Sequence, residues 1–454
     1  MALLQMLARA CFTVMCFIQN LLPCIKGRIP EPGRWLHALL DVIHRGENKL
    51  FKLESLTDFY HTYGLFRFEN KVYIFDPKLT QTVINKLEKG AGDYLENSPL
   101  KDTFLGSSSR SPEIRRAIAA LFRKSTLEER GGLIIADVDN MCNKIGLEAK
   151  EGHVINITDW SLRMAMDVVG HMLLQLDLFA IEGKQEALLE CLMTILHRCY
   201  ALGEITSDSE EFKQANETLQ KETTTILEKA LQKEDKSTDT RFVIKLHEAC
   251  GFEQARDNMK LFLMAGSETT ASTIPVFCYL MATYARVQDE LRQEADENMA
   301  ALRADPALTL PKMESVLREV LRVYPIAPFI SRQTTQQLVV GDVTIGANTD
   351  IKAFTWGIHR SSTQWDQSKE FVPFRFLNSG EKSASAMYIP FGAGSRICIG
   401  QHLAMLELKL ACAIMLNRFK FCKVSETPEL RFVTDWAHAV VHPDKDMFFK
   451  LEAR

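Results

Sequence analysis

One cysteine near the C-terminal end of this 454-residue chain lies in a glycine-rich loop that leads directly into an apolar segment. The loop, residues 390–400, reads PFGAGSRICIG. Its glycines accept positive φ and let a flat ligand approach the backbone closely. Because the following segment predicts a buried helix, its N-terminal dipole favours the thiolate form of Cys398, which is the form that binds metals. Arg396 can pair with an anionic group of the same ligand.

A second group of reactive side chains lies in a helical stretch that reads LFLMAGSETT over residues 261–270. The small residues Ala265 and Gly266 leave a groove on one helix face, unless Gly266 serves only the packing of helices. Gly266 also weakens the helix by about 1 kcal/mol relative to alanine. Glu268 and Thr269 place an acid and a hydroxyl beside this groove.

Several elements must position these side chains. Alternation of apolar and polar residues about a turn at Glu69-Asn70 predicts a β-hairpin within residues 63–75. Helical spacing is expected over residues 111–122 and, as one or two helices, from about residue 252 to residue 299. Pro275 is expected to kink the long helix. Short strands are expected between residues 325 and 349.

The composition is that of a globular protein with a full core, since 46% of the residues are apolar and 25% are charged. A net charge of −4 gives no general reason to expect a nucleic-acid partner. The 11 cysteines include no Cys-x-x-Cys pair, so neither a zinc site nor a redox site of that type is indicated. Their scatter favours reduced thiols in a domain that faces the cytosol.

The cysteine loop resembles the haem-binding signature of the cytochromes P450, the haem-thiolate monooxygenases. The residues that carry this resemblance are Phe391, Gly394, Arg396, Cys398 and Gly400. The segment around Glu268 is similar to the oxygen-activation motif of the same family, and both motifs occur in family order. The resemblance covers about residues 30–454. It implies a mainly α fold with a minor β-sheet region, in a single large domain.

The resemblance also implies a cofactor, haem b, with Cys398 thiolate as the axial iron ligand. Glu268 would relay protons and Thr269 would assist the activation of O₂, while Ala265 and Gly266 would line the haem groove. Arg115 matches the helix arginine that holds a haem propionate in the family.

Two further matches concern the haem propionates. Ser111 stands four residues before Arg115, where a tryptophan is usual, so one propionate contact of the family is not matched. Arg332, in the segment PFISR, resembles the strand arginine that contacts a propionate. Both arginines are therefore expected to bind the cofactor.

An ion pair is expected farther along the chain. Glu319 and Arg322 are three positions apart, share one helical face and are flanked by apolar residues. This Glu-x-x-Arg pattern resembles the second signature of the family, in which Arg375 would complete a buried network supporting the cysteine loop. Breaking such a network would leave an unpaired buried charge, at a cost of about 3–5 kcal/mol.

The implied reaction inserts one oxygen atom of O₂ into a hydrophobic organic substrate such as a lipid, fatty acid, sterol, terpenoid or xenobiotic. The sequence has no flavin or nicotinamide fingerprint, so a separate flavoprotein reductase or ferredoxin would supply electrons, with NADPH or NADH involved only indirectly. Its docking patch would comprise Arg116, Arg123, Lys124 and Lys409.

Two other functions stay open. Some relatives isomerise or dehydrate peroxides without external electrons, although these often lack an acid–threonine pair such as Glu268 and Thr269. A haem-binding sensor without turnover is the other alternative.

The N-terminal residues resemble the anchor and hinge of membrane-bound family members. Residues 1–25 are apolar-rich, but their longest uninterrupted apolar run is far below the roughly 20 residues that span a bilayer. They are therefore either a membrane anchor or an amphipathic helix. Residues 26–35 form a basic, proline-containing hinge, and residues 36–454 form the haem-thiolate monooxygenase domain. We expect membrane association with the catalytic domain facing the cytosol, a soluble cytoplasmic protein being the alternative.

Overall fold

The computed structural model describes residues 2–21, 28–45, 49–87, 103, 111–184, 186–192, 194–195, 209–232, 242–377, 388–433 and 440–453. The helices of this part are α1 (Ala2–Leu21), α2 (Arg34–Ile43), α3 (Lys49–Phe59), α4 (Pro77–Lys86), α5 (Ser111–Ala119), α6 (Lys124–Glu129), α7 (Gly131–Lys150), α8 (Ile157–Val169), α9 (Glu186–Leu192), α10 (Glu210–Gln232), α11 (Phe242–Cys250), α12 (Phe252–Thr283), α13 (Ala285–Ala304), α14 (Pro311–Val323), α15 (Thr355–His359) and α16 (Gln401–Arg418). The strands are β1 (Leu65–Phe68), β2 (Lys71–Ile74), β3 (Ile155–Asn156), β4 (Phe329–Gln333), β5 (Leu338–Val340), β6 (Val343–Ile345), β7 (Asp350–Phe354), β8 (Phe419–Cys422), β9 (Phe432–Val433), β10 (His442–Pro443) and β11 (Phe448–Ala453). All candidate cofactor, catalytic and network residues fall within these ranges.

The long helix α12 lies at the centre of the fold. It packs against α8 along much of its length and also contacts α10, α11 and α16. Most of its side chains are buried, and the helix continues through Pro275 to Thr283. The next helix, α13, begins two residues later, so the expected helical run over residues 252–299 is two helices.

The largest sheet has the strand order β1-β2-β7-β4. The hairpin of β1 and β2 turns at Glu69 and Asn70, which both adopt positive φ, at 49° and 63°. Strand β7 then pairs parallel to β2 and antiparallel to β4. The predicted hairpin is therefore present, and this sheet places Arg332 on β4.

Two small sheets bring the C-terminal end of the chain back to the helices. Strand β11 lies between β3 and β8. Strands β9 and β10 form an antiparallel pair in which His442 is opposite Val433. Because β10 contacts α12, this pair places His442 against the long helix.

One continuous apolar core joins the helices to the sheets. The prediction of a mainly helical fold with a minor β-sheet region in a single domain is confirmed. The cysteines within the described ranges are free thiols.

The N-terminal helix α1 packs on the domain through one face. Ala8 and Phe12 are buried there, while Leu7, Val14 and Phe17 on other faces are 56%, 58% and 68% exposed. Among the described helices, none combines the length and apolar character that crossing a bilayer requires.

Candidate active site

The cysteine loop is shaped by its own backbone. Gly392 and Gly394 adopt positive φ, at 77° and 73°, and the Cys398 amide donates to the Phe391 carbonyl at 2.9 Å. A Cβ on Gly394 would lie 3.0 Å from Ile84 Cγ2, so the loop also approaches α4 closely. Cys398 is exposed, and α16 begins three residues later. The loop therefore holds one accessible thiol near the N-terminus of a buried helix.

Gly400 does not use the positive φ that a glycine permits. Its φ is −82°, which any residue adopts. A Cβ at this position would lie 3.9 Å from the Cys398 sulfur, an ordinary van der Waals contact. Of the three loop glycines, Gly392 and Gly394 thus use positive φ, whereas Gly400 lies beside the sulfur in ordinary backbone.

Of the three candidate arginines, Arg396 lies in the cysteine loop and Arg115 contacts it, while Arg332 lies on β4. Arg115 Nη2 donates to the Ile397 carbonyl at 2.7 Å, although the two residues are 282 positions apart in the chain. Burial lowers the pKa of Arg115, the nearby Cys398 thiol opposes this shift, and Arg396 adds to it. Arg332 is only 3% exposed and donates to the Ser331 carbonyl at 2.9 Å.

The acid and the hydroxyl of α12 have separate partners. Glu268 Oε1 lies 2.7 Å from His442 Nε2, whereas the Thr269 hydroxyl donates to the Ala265 carbonyl at 2.9 Å. Ala265 is exposed although α12 is otherwise largely buried, so this part of the helix borders open space. Sequence analysis missed His442, because its own segment carries no motif.

Gly266 serves the contact between two helices. A Cβ on Gly266 would lie 2.7 Å from Val169 Cγ2 on α8, closer than atoms normally approach. The expectation that Gly266 opens a cofactor groove is therefore replaced by the alternative, a helix-packing glycine. Ala265 alone of these two small residues is exposed.

A buried carboxyl joins α12 to the helix that follows the cysteine. The Thr270 hydroxyl lies 3.4 Å from Glu407 Oε2 on α16. Burial raises the pKa of Glu407 well above its ordinary value, which favours the neutral acid. Its other oxygen, Oε1, has no hydrogen-bond partner within the described structure. No sequence pattern indicated this contact.

The structure brings the three network residues together. Arg322 donates to both carboxylate oxygens of Glu319, at 2.8 and 2.9 Å, and Arg375 Nε lies 3.2 Å from the same oxygens. Arg322 also donates to the carbonyls of His359, Ser368 and Glu370. The network thus ties α14 to the segment that precedes the cysteine loop.

The basic surface predicted for a redox partner needs one correction. Arg116, Arg123 and Lys124 are exposed. Lys409 is only 6% exposed, and its ammonium group donates to the carbonyls of Pro306 and Leu308 at 2.9 and 2.7 Å. Lys409 is therefore a buried connection between α16 and the loop after α13, and it is wrong to place it on the docking patch.

The donor set fits a haem group. The porphyrin ring already supplies most ligands of a haem iron, so the protein needs to add few. One accessible thiol near a helix N-terminus would be a suitable protein ligand. The haem carboxylates need cations, and Arg115 and Arg396 lie beside the same loop.

Comparison with known proteins agrees with this chemistry. A family model described as cytochrome P450 matches residues 29–450. Cytochrome P450 3A15 of Cavia porcellus is 32% identical over 200 residues, which is 43% of this chain and 39% of that protein. Cytochrome P450 3A27 of Oncorhynchus mykiss is 33% identical over 198 residues, or 43% of this chain and 38% of that protein.

A nematode protein gives a similar match. The putative cytochrome P450 CYP13A4 of Caenorhabditis elegans is 34% identical over 194 residues, which is 41% of this chain and 36% of that protein. The chain thus spans less than two fifths of the length of these relatives, at 36% to 39%.

Proposed function

Because this chain belongs to the cytochrome P450 family, we propose that it is a haem-thiolate monooxygenase that inserts one oxygen atom of O₂ into a hydrophobic organic substrate. The observation that carries the proposal is the position of Cys398, exposed in a backbone-fixed loop near the N-terminus of a buried helix. A lipid, fatty acid, sterol, terpenoid or xenobiotic belongs to the expected substrate class.

Each residue near the loop has a binding role in this proposal. Cys398 would ligate the iron, and Arg115, Arg332 and Arg396 would hold the carboxylates of haem b. When bound, the haem supplies the reductive activation of O₂ and the transfer of one oxygen atom. The buried network of Glu319 keeps the segment before the loop in place.

Two side chains of α12, those of Glu268 and Thr269, would deliver protons to the bound ligand. Glu268 carries an ionisable carboxyl, and the Thr269 hydroxyl can donate one hydrogen bond at a time. That hydroxyl now donates to the Ala265 carbonyl and must leave this bond to donate to a ligand. The preceding residues Phe262 and Met264 are buried, at 6% and 2% exposure.

Electrons would come from a separate flavoprotein reductase or ferredoxin. The exposed cations Arg116, Arg123 and Lys124 supply a patch that an acidic partner surface can approach. The exposed apolar side chains of α1 would rest on a membrane surface, with the catalytic domain facing the cytosol.

The first test is the absorption spectrum of the dithionite-reduced protein under CO, compared with a Cys398→Ala variant. We expect a strongly red-shifted Soret band in the wild type and its loss in the variant. Cys422→Ala is the matched control, because Cys422 lies at the far end of α16, on β8. A haem band that Cys398→Ala leaves unchanged would refute the assignment.

The second test separates the alternatives. Product formation that requires NADPH and a reductase supports a monooxygenase. Conversion of a peroxide without added electrons would identify an isomerase or dehydratase, and haem binding without turnover would identify a sensor.

A further inference from the structure

A histidine from the C-terminal strands lies against the acid of the acid–threonine pair. His442 Nε2 is 2.7 Å from Glu268 Oε1, and His442 Nδ1 is 2.8 Å from Ser272 Oγ. Glu268 and Ser272 are four residues apart, so the imidazole bridges successive turns of α12. The side chains of His442 and Glu268 are only 8% and 11% exposed. The contact is therefore an enclosed one.

Backbone hydrogen bonds fix the position of this histidine. His442 pairs with Val433 in the two-stranded sheet of β9 and β10. The preceding residue, Val441, donates its amide to the Ile326 carbonyl at 2.7 Å. Two separate parts of the chain, β9 and the segment of Ile326, thus hold the strand that carries the imidazole. The strand therefore keeps the imidazole in place against Glu268.

The chemistry of the contact is that of proton transfer. A carboxylate only accepts hydrogen bonds, so Nε2 of His442 carries a proton that points at Glu268. The charged imidazolium also carries a proton on Nδ1, which it donates to Ser272 Oγ. An imidazole between a carboxylate and a hydroxyl can therefore give up one proton while its second hydrogen bond stays in place.

We propose that His442 donates the protons that recharge Glu268 during turnover. The Nε2–H bond of the imidazolium breaks, an O–H bond forms at Glu268 Oε1, and the neutral ring keeps its Nδ1 proton. After Glu268 has passed this proton on, Nε2 takes a new proton from a hydronium ion or buffer acid of the solvent, which becomes water or the buffer base, and no electrons move. This role rests on the proposed function and deepens it. His442 acts through Glu268 and is in that sense a positioning residue.

Two substitutions of His442 distinguish proton donation from a role that only holds Glu268 in position. His442→Gln keeps an amide N–H that can face Glu268 and an oxygen that can face Ser272, but an amide does not release protons at neutral pH. His442→Phe removes both hydrogen bonds and keeps an aromatic ring. If only the position of Glu268 matters, glutamine restores function and phenylalanine does not.

Turnover is measured with the haem-loaded enzyme and its redox partner. We expect both variants to lower kcat about tenfold, less than the hundredfold or more of a directly acting general acid, because Glu268 remains. KM stays within about twofold, since His442 does not bind substrate in this proposal. A larger share of electrons ends in hydrogen peroxide. A kcat of the glutamine variant equal to that of the wild type overturns proton donation by His442.

The chain offers a matched control. His153 also faces a carboxylate, Glu151, at 3.7 Å, but both side chains are more than half exposed. His153→Gln is expected to leave kcat, KM and peroxide release unchanged.

A second readout needs no turnover. In protein carrying ¹⁵N-labelled histidine, the His442 ring nitrogens are identified by their absence from the His442→Gln spectrum. We expect Glu268→Gln to shift these signals and Glu151→Gln to leave them in place. Signals that do not respond to Glu268→Gln overturn the inference. A wild type without a thiolate-haem spectrum refutes the proposed function and the role in turnover, even where the nitrogen signals report the contact.

Discussion

Glu319 and Arg322 form an ion pair in which neither side chain has any exposure to solvent, with Nε and Oε2 2.8 Å apart. The same carboxylate accepts hydrogen bonds from Arg375 and from the Val372 amide. One acid thus joins α14 to the chain before the cysteine loop. The pair is buried completely and its hydrogen bonds reach residues 359–375, so it holds these two parts of the chain together.

We expect Glu319→Gln to lower the free energy of unfolding by about 3–5 kcal/mol, because it leaves buried Arg322 without its counter-charge. Urea unfolding measures the loss. Glu429→Gln, at the exposed pair with Arg431, is the control and should cost less than about 1 kcal/mol. Equal losses for the two variants would contradict the buried role of Glu319.

A second charged pair should make stability depend on pH. His171 Nδ1 lies 2.8 Å from Asp137 Oδ2, and Nε2 lies 2.7 Å from Asp177 Oδ1. The hydrogen bond to Asp137 raises the pKa of His171 from 6.5 to about 9, against the opposing effect of burial. Burial raises the pKa of Asp137 despite this pairing. The pH range in which stability should change is therefore taken from the pKa of His171.

The direction of this dependence follows from the raised pKa. The folded state holds the proton of His171 more tightly, so its stabilisation is complete below pH 6.5 and is lost as the pH rises through about 9. We expect the wild type to lose about 1–3 kcal/mol of unfolding free energy across this window relative to His171→Gln. His153→Gln serves as a control, and its pH profile should follow that of the wild type.

Glu407 should also make stability depend on pH, beginning at a lower pH than the window of His171. Its pKa is raised by burial, so the unfolded chain loses this proton first, above pH 4.5, and stability falls as the pH rises from there. Glu407→Gln keeps the shape and removes the titration. We therefore expect the variant to have a higher Tm than the wild type at pH 8 and a similar Tm at pH 4. A lower Tm at pH 8 would show that the charged form is the stable one.

The α1 helix should bind phospholipid surfaces if its exposed apolar residues face a membrane. Phe17→Gln with Ile18→Gln removes two of these side chains, which are 68% and 52% exposed. We expect weaker co-sedimentation of the full chain with vesicles containing anionic lipid. Leu147→Gln is the control, because Leu147 is 63% exposed but lies on α7. Unchanged co-sedimentation of the α1 variant would argue against membrane contact through this helix.

Sequence patterns predicted the local features of the site well, because each one is determined by near neighbours. The positive φ angles of the cysteine loop come from its own glycines, and Glu319 and Arg322 are one turn apart. The contact of His442 with Glu268 could not be predicted, since it depends on how β10 packs on α12. Lys409 reads as a surface cation, and only the fold shows that backbone carbonyls surround its ammonium group.

Gly266 allows a direct test of packing against helix propensity. A methyl group at this position would lie 2.7 Å from Val169 Cγ2. Overpacking of this kind costs about 1–3 kcal/mol, whereas replacing glycine by alanine inside a helix gains about 1 kcal/mol. Because a clash at 2.7 Å forces either the stiff Val169 side chain or the helices to shift, we expect Gly266→Ala to be destabilising overall.

Two further variants identify the cause of that loss. A Cβ on Gly132 would have no heavy atom within 4 Å, so Gly132→Ala on α7 should be neutral or stabilising by up to about 1 kcal/mol. Adding Val169→Ala to Gly266→Ala removes the clashing methyl group. The double variant should therefore lose less unfolding free energy than the sum of the losses of the two single variants. Additive losses in urea unfolding would mean that Gly266 is required for a reason other than its contact with Val169. Non-additive recovery would show that the distance between α8 and α12 is set by this one glycine.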